Sequence, residues 1–220
     1  ITRELDITSY SELTLASAAA DAAHPAFSKL FVETQFVARL SVLLATRRKR
    51  SSDEPEIWVS HHVVVEGEAV GVVQYETDRA RFLGRGREVH EPAAVIDGHP
   101  LSNTCGTVLD PIFALRQRVR IPPGATARLS FWTSAASTRA SLLDLLDKHQ
   151  DANAYARAAT PRSSVSPIAR RSAPAQAIIA ALSVQSMAGG TMSFSPWCDA
   201  ASVKTDLSLA FAATPPATIS

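Results

Sequence analysis

The chain has 220 residues, with 22 Lys and Arg against 21 Asp and Glu, and a formal net charge of +1 at pH 7. This balance excludes a polycation built to hold nucleic acid, and 46% apolar residues exclude a chain too polar to form a core. No uncharged apolar run reaches the length of about 18 residues that a transmembrane helix requires, so none is predicted.

The distribution of charge divides the chain near residue 150. Residues 1–150 hold 17 of the 22 basic and 18 of the 21 acidic residues, and the remainder is rich in Ala, Ser and Pro. Such a composition supplies little apolar area to offset chain entropy. We therefore place a boundary near residues 150–160. Together with the strands and the helix described below, it predicts a folded domain over residues 1–136, a linker helix over 137–160 and a poorly ordered tail over 161–220.

Residues 1–136 predict a series of short strands. Runs rich in apolar and β-branched residues occur at 13–15, 30–37, 42–46, 57–65, 70–75, 93–96, 113–121 and 127–132. Turn-like segments at 66–69 and 122–124 predict that the strands on either side of each form a hairpin. Short strands with turn signals at this spacing favour an all-β fold, an antiparallel β-sandwich, over alternating βαβ units.

Residues 113–121 carry the clearest alternation of apolar and polar side chains. One face of this strand holds Leu115, Gln117, Val119 and Ile121, and the other holds Arg116, Arg118 and Arg120. A period of two predicts that the first face meets a core and the second meets water.

A helix is predicted after the last strand. Ser137 or Thr138 can cap its amino terminus, and apolar positions recur three or four residues apart at Leu142, Leu145, Leu146 and His149. The resulting stripe predicts a helix that docks on another surface and begins a connector.

The segment 75–87, YETDRARFLGRGR, is the first candidate site. It contains four Arg, two Gly and two acidic residues directly after a strand. Guanidinium groups and peptide N–H groups exposed beside Gly suit phosphate or sugar hydroxyls. The alternative is a solvated loop in which the Arg side chains pair with Asp78, Glu76 and Glu88. Since GxGxxG and GxxxxGK[ST] are absent, no nucleotide cofactor is expected.

Histidine and cysteine patterns predict no metal site. His61 and His62 are adjacent in a strand and point to opposite faces, so we expect one to be packed inside and the other to be wet. Cys105 and Cys198 lie in no CxxC or Cys/His pattern, which favours reduced thiols over a zinc site or a disulfide framework.

Three further groups of residues suggest sites but favour structural roles. A Ser/His/Asp assembly from Ser102, His99 and Asp110 has no GxSxG motif to support it. The basic run 47–50 precedes acidic residues, which is typical of a solvated hairpin tip. Two of the three tryptophans, Trp58 and Trp132, lie within strand patterns that favour a core position over sugar stacking.

Several segments resemble the carboxy-terminal region of bacterial cyclic β-1,2-glucan synthases, which belongs with cellobiose and chitobiose phosphorylases in glycoside hydrolase family 94. The most specific are YETDRARFLGRG at 75–86 and GTVLDPIFALR at 106–116. The resemblance implies a galactose-mutarotase-like supersandwich joined by linker helices to an (α/α)6 barrel. It also implies glycosyltransferase or glycoside phosphorylase chemistry, with carbohydrate as the ligand.

The resemblance places the family's catalytic aspartate in the barrel, so it implies no catalytic residue here, and this chain alone is expected to be inactive. It implies a substrate-binding or domain-interface loop comprising Asp78, Arg79, Arg81, Phe82, Gly84, Arg85 and Gly86. The expected partners are β-glucan, the barrel domain of the parent protein, or a second copy in a homodimer. No cofactor, metal, nucleic acid or membrane insertion is expected, and the location implied is cytoplasmic, in a parent protein at the inner membrane.

Two alternatives are a stand-alone carbohydrate-binding module and a purely structural interaction domain. The chain departs from the family after Thr160, where Pro161 ends a helix that the family continues. We hypothesise that the tail from about residue 161 arises from a frameshift or other disruption of a longer, barrel-containing protein.

Overall fold

Two antiparallel sheets face each other in the computed structural model, which describes residues 1–149 and the strand at 202–207. The strands are β1 (Arg3–Glu12), β2 (Val32–Val37), β3 (Val42–Arg47), β4 (Trp58–Glu66), β5 (Glu68–Asp78), β6 (Pro111–Ile121), β7 (Arg128–Ala136) and β8 (Ser202–Leu207). The helices are α1 (Ala18–Ala23), α2 (Pro25–Lys29), α3 (Arg79–Leu83), α4 (Ala93–Ile96) and α5 (Arg139–His149), with a 3-10 turn at Ala38–Leu40. The predicted all-β antiparallel sandwich is confirmed.

The order of strands is β1-β6-β5 in the first sheet and β2-β3-β4-β7-β8 in the second. Both predicted hairpins are therefore wrong, because β4 and β5 lie in different sheets and so do β6 and β7. Each connection is an arch that crosses the sandwich. Gly67 in the first arch has φ +144°, and a Cβ there would lie 3.0 Å from the Cβ of Ala127 in the second. Pro122 and Pro123 lack the N–H that a continuing ladder needs.

The main core lies between the two sheets. Its buried members come from both sheets, from the segment after β1 and from the residue before β4: Ile7, Leu13, Leu15, Val32, Leu43, Ala45, Ile57, Val59, Phe113, Leu115, Val119, Leu129 and Phe131. His61 is 2% exposed in this layer, hydrogen-bonded through Nε2 to Ser9 Oγ at 3.0 Å and through Nδ1 to Thr133 Oγ1 at 2.8 Å. Its ring is nearly parallel to those of Phe113 and Phe131, with ring centres 5.8 and 6.0 Å away.

The expectation that one of the two adjacent histidines is wet is wrong. His62 is 1% exposed, even though it points away from the main core. It pairs with Val42, and directly paired residues share a face of a sheet. Leu142 and Leu146 of α5 pack against that face through Val42 and Leu44, so the second histidine is covered as well.

The predicted docking helix is confirmed over residues 139–149, and it packs on the chain's own second sheet. Thr138 Oγ1 accepts a hydrogen bond from the N–H of Ser141 at 3.1 Å, so Thr138 caps it. The rest of the predicted linker, residues 150–160, lies outside the described residues. Of the predicted tail, the structure describes β8, which pairs with β7, and the remainder lies outside the described residues.

The predicted alternation of β6 is confirmed except at one arginine. Leu115 and Val119 are fully buried, whereas Arg118 is exposed and Arg120 is partly exposed. Arg118 forms two hydrogen bonds of 2.8 Å to Asp6. Arg116 is only 5% exposed, because α4 and the loop after it cover this part of the sheet.

Arg116 is held there by backbone oxygens. Its guanidinium donates to the carbonyls of Ala94 and His99, the latter at 2.8 Å, and its Nε donates to Thr8 Oγ1 at 3.1 Å. Burial lowers the pKa of Arg116. The alternation of apolar and polar residues along β6 does not indicate which of its arginines a neighbouring loop covers.

Two elements differ from the sequence-based expectation. β1 covers Arg3–Glu12, whereas a strand was predicted at residues 13–15. A search for apolar runs misses this strand, because it contains the polar residues Thr8, Ser9 and Ser11. The run at 93–96 is α4, a single helical turn whose N-cap residue is Pro92, in an extended conformation. No helix of residues 1–149 is long and apolar enough to cross a membrane.

We expect acid to destabilise the domain through His61, because burial lowers the pKa of this imidazole to about 3, with a smaller effect of His62. When the pKa of a base is lower in the folded than in the unfolded state, the protein loses stability as the pH falls through the unfolded pKa, here near 6.5. One such proton costs about 2 kcal/mol of unfolding free energy between pH 6.5 and pH 5. Urea denaturation at pH 7.5 and pH 5 measures this loss, and His61→Gln should reduce it. An equal loss in wild type and variant would contradict the assignment.

Candidate functional site

The predicted loop begins as a short helix with a cap at each end. Asp78 ends β5, and its carboxylate accepts a hydrogen bond from the N–H of Ala80 at 2.9 Å, which caps α3. Gly84 ends α3 with φ +81°, a conformation that a side chain disfavours. The loop is therefore a defined turn of helix followed by a glycine turn.

Arg79 ties this helix to three other parts of the chain through what we call the anchor cluster: Tyr10, Glu12, Lys29, Arg79 and Asp110. Its Nε donates to Glu12 Oε1 at 3.0 Å and to Tyr10 Oη at 3.2 Å, and it lies 3.7 Å from Asp110 Oδ2. Lys29 Nζ lies 2.7 Å from Asp110 Oδ1 and 3.7 Å from Glu12 Oε2. Two cations and two carboxylates thus join β1, α2, α3 and the segment before β6.

The anchor cluster changes the acidity of its members. Burial by itself raises the pKa of Glu12, but hydrogen bonds from Tyr10 and Arg79 and the charges of Lys29 and Arg79 outweigh it and lower the pKa. Burial raises the pKa of Tyr10, and its hydrogen bond to the Glu12 carboxylate at 2.9 Å raises it further. The carboxylate is therefore ionised and the phenol protonated at neutral pH.

The other arginines of the loop differ in the contacts that hold their side chains. Arg81 has 58% of its side chain exposed, lies 3.7 Å from Asp78 and donates to Thr104 Oγ1 at 3.0 Å. Arg87 lies 2.8 Å from Asp97. Arg85 is exposed and has no hydrogen bond or ion pair within residues 1–149. Among the four arginines it alone presents an unpaired guanidinium to the surroundings.

Phe82 of the predicted site is a core residue. It is 1% exposed and its ring centre lies 5.0 Å from that of Tyr10. It belongs to a second core on the outside of the first sheet, with Leu83, Ala94, Leu101, Ile112 and Ala114. The ring therefore holds α3 against the sheet and offers no surface to a ligand.

The two glycines have different roles. A Cβ at Gly84 would lie 2.7 Å from the Cβ of Ala93, so α3 and α4 approach closely there. A Cβ at Gly86, where φ is +72°, would meet nothing within 4 Å. Gly84 is required for packing as well as conformation, and Gly86 for conformation alone.

Most acidic partners of the arginines were not found from the sequence. The expected pairs with Glu76 and Glu88 are wrong. Glu76 is 3% exposed and accepts backbone N–H groups, from Thr77 at 3.0 Å and Asp78 at 3.1 Å. The expected partner Asp78 is confirmed for Arg81, but Glu12 and Asp110 lie far from the loop in the sequence, and no local pattern pairs them with it.

Neither a catalytic triad nor a metal centre is assembled in the part of the chain that the structure describes. Ser102 Oγ is hydrogen-bonded to Thr104 at 2.7 Å, and Asp110 is engaged by Lys29. No group of three or more His, Cys, Asp or Glu side chains within residues 1–149 can hold a metal ion. Trp132 is 2% exposed, which confirms its predicted core position, and Trp58 is partly buried.

A pair of matched variants tests the rigidity of the loop. We expect Gly84→Ala to destabilise the domain by about 3 kcal/mol, because it combines left-handed strain with a clash against Ala93. Gly86→Ala should cost about 1 kcal/mol, since only the strain applies. Equilibrium urea denaturation of both variants measures the difference. Equal losses would show that α3 and α4 do not pack as described.

Comparison with known proteins identifies the family. The family model for the supersandwich domain of glycosyl hydrolase 94 matches residues 1–152. The cyclic beta-(1,2)-glucan synthase NdvB of Rhizobium meliloti (strain 1021) is 42% identical over 148 residues, which are 67% of this chain and 5% of that protein. The matched part thus spans about one-twentieth of the relative's length. With a sandwich in the structure and a family match over more than half of its length, the chain belongs to the glycosyl hydrolase 94 supersandwich family.

Proposed function

We propose that this domain is a non-catalytic sandwich of a glucan-acting protein of the cyclic β-1,2-glucan synthase type. Its role is to position a catalytic (α/α)6 barrel domain, and it performs no glycosyl transfer or phosphorolysis by itself. The location that goes with this role is the cytoplasmic side of the inner membrane, as part of a longer parent protein.

The side chains of the described part support a role without chemistry. Inverting phosphorolysis needs an acid on the glycosidic oxygen and phosphate on the opposite face of the sugar. The carboxylates of the anchor cluster are paired with Lys29 and Arg79, and the hydrogen bonds and charges around Glu12 lower its pKa, which is unsuited to a general acid at neutral pH.

The exposed side chains favour domain docking over a stand-alone carbohydrate-binding module. Sugar-binding modules stack pyranose rings on exposed aromatic platforms. Within residues 1–149, Phe27 is the one Phe, Tyr or Trp residue that is more than half exposed, at 54%. A single ring gives no extended platform for a glucan chain.

The observation that carries the proposal is the unpaired guanidinium of Arg85 on a loop that the chain itself holds rigid. The anchor cluster fixes one end of the loop, and the contact of Gly84 with Ala93 fixes the other. A preorganised loop loses little conformational entropy when it binds, and Arg is enriched where interfaces are strongest. We propose that Arg85, with Arg81 beside it, contacts the barrel domain.

The isolated chain provides the first test. We expect no release of glucose 1-phosphate from β-1,2-glucan in phosphate buffer, and no saturable binding of β-1,2-glucan in calorimetric titration. The reason is that neither paired acids nor an aromatic platform is present in the described part. Phosphorolysis would overturn the non-catalytic role, and millimolar or tighter binding would favour a carbohydrate-binding module.

The parent protein provides the second test. We expect Arg85→Ala to lower its glucan-synthesising activity roughly tenfold, as loss of about 1.4 kcal/mol at an interface predicts. Arg39→Ala is the matched control, since Arg39 is an exposed arginine on the 3-10 turn beside the other sheet. Equal activity of the two variants would contradict the interface role of the loop.

A further inference from the structure

A cavity of about 300 Å³ lies away from the loop, between the first two helices and the β3–β4 connection. It is lined by Ala20, Ala23, His24, Phe27, Ser28, Arg47 and Arg50. This volume is at the lower end of the range for small-molecule sites. Both arginines of the cavity come from the end of β3 and the connection after it. This is the segment predicted to be a solvated hairpin tip.

One side of the cavity is apolar and carries an aromatic ring. Phe27 is 54% exposed, and its ring centre lies 5.9 Å from that of His24 in an edge-on arrangement. Ala20 and Ala23 have side chains too short to cover the ring. An aromatic face left open in this way accepts a flat or ring-shaped apolar group.

The other side carries cationic charge that the chain only partly neutralises. The guanidinium carbons of Arg47 and Arg50 both lie 5.9 Å from the centre of the Phe31 ring, and both arginines line the cavity. Arg47 lies 3.4 Å from Glu54, but Arg50 forms no ion pair through its side chain within residues 1–149. The same Glu54 oxygen also accepts the backbone N–H of Arg50 at 2.9 Å.

Two further details bear on the attraction of the cavity for an anion. The Nε of Arg47 is buried and has no hydrogen-bond partner in the described part of the chain. A buried donor without a partner costs free energy that an acceptor would recover. The second is the Asp21 carboxylate, which accepts a hydrogen bond from Ser28 Oγ at the cavity wall, and its negative charge opposes part of the attraction.

We propose that this cavity binds a small organic anion, in which a ring-shaped or apolar body carries one phosphate or carboxylate group. The body lies against Phe27, and the anionic oxygens accept hydrogen bonds from the guanidinium groups of Arg47 and Arg50. Planar guanidinium groups match the geometry of both kinds of oxyanion. The site is separate from the Arg85 loop and does not depend on the docking role proposed for it.

Calorimetric titration of the 220-residue chain at low salt tests the site, with phenyl phosphate as the probe. We expect saturable binding with a Kd of about 1 mM or tighter. Inorganic phosphate should bind at least about fivefold more weakly, because it lacks the ring, and benzyl alcohol should show no saturation, because it lacks the charge. No saturation with phenyl phosphate, or equal binding of benzyl alcohol, would overturn the proposal.

Variants identify the residues that bind the probe. Arg50→Gln should raise the Kd for phenyl phosphate about tenfold, and Phe27→Ala should weaken phenyl phosphate but not inorganic phosphate. Arg48→Gln is the matched control, because Arg48 is in the same connection, is exposed, pairs with Glu33 and does not line the cavity. Thermal melting of each variant establishes that it is folded. An equal loss of affinity in Arg48→Gln and Arg50→Gln would mean unspecific attraction to a basic loop and would contradict the site.

Discussion

The anchor cluster is the constraint on which the arrangement of the loop depends. Its carboxylates and cations come from β1, α2, α3 and the segment before β6, and each is only partly exposed. Single ion pairs at a surface stabilise a fold by well under 1 kcal/mol, whereas a network holds several elements in one geometry. With Phe82 packed beneath it, the cluster determines where α3 lies and hence where Arg85 is presented.

The sequence was sufficient to predict the class of fold and the faces of its best-patterned elements. The alternation in β6 and the apolar stripe in α5 reflect burial directly, because each element packs one face on a neighbour. The pairing of strands was not predictable in this way. A turn at Gly67 or Pro122 reverses the chain equally well within one sheet or between two, so local turn chemistry does not distinguish a hairpin from an arch.

The candidate site also combines features that the sequence predicted with features that only the fold reveals. The motif that resembles the family identified the loop, and the glycines indicated its turns, but its anchoring acids, Glu12 and Asp110, are separated from Arg79 by long stretches of chain. Phe82, named with the site, lies in a core that only the fold assembles. The structure thus separates the motif into residues that hold the loop and one residue, Arg85, whose side chain is exposed and has no partner within residues 1–149.

Hydrogen exchange of the 78–86 segment in the proposed barrel-containing parent protein, compared with the isolated chain, tests the account most directly. If the loop contacts the barrel domain, the amides around Arg85 exchange at least about tenfold more slowly in the parent protein, because an interface of about 1.4 kcal/mol must open first. Amides of the outer face of the first sheet provide the internal reference. Identical exchange around Arg85 in both proteins would contradict the claim that this domain docks through its loop.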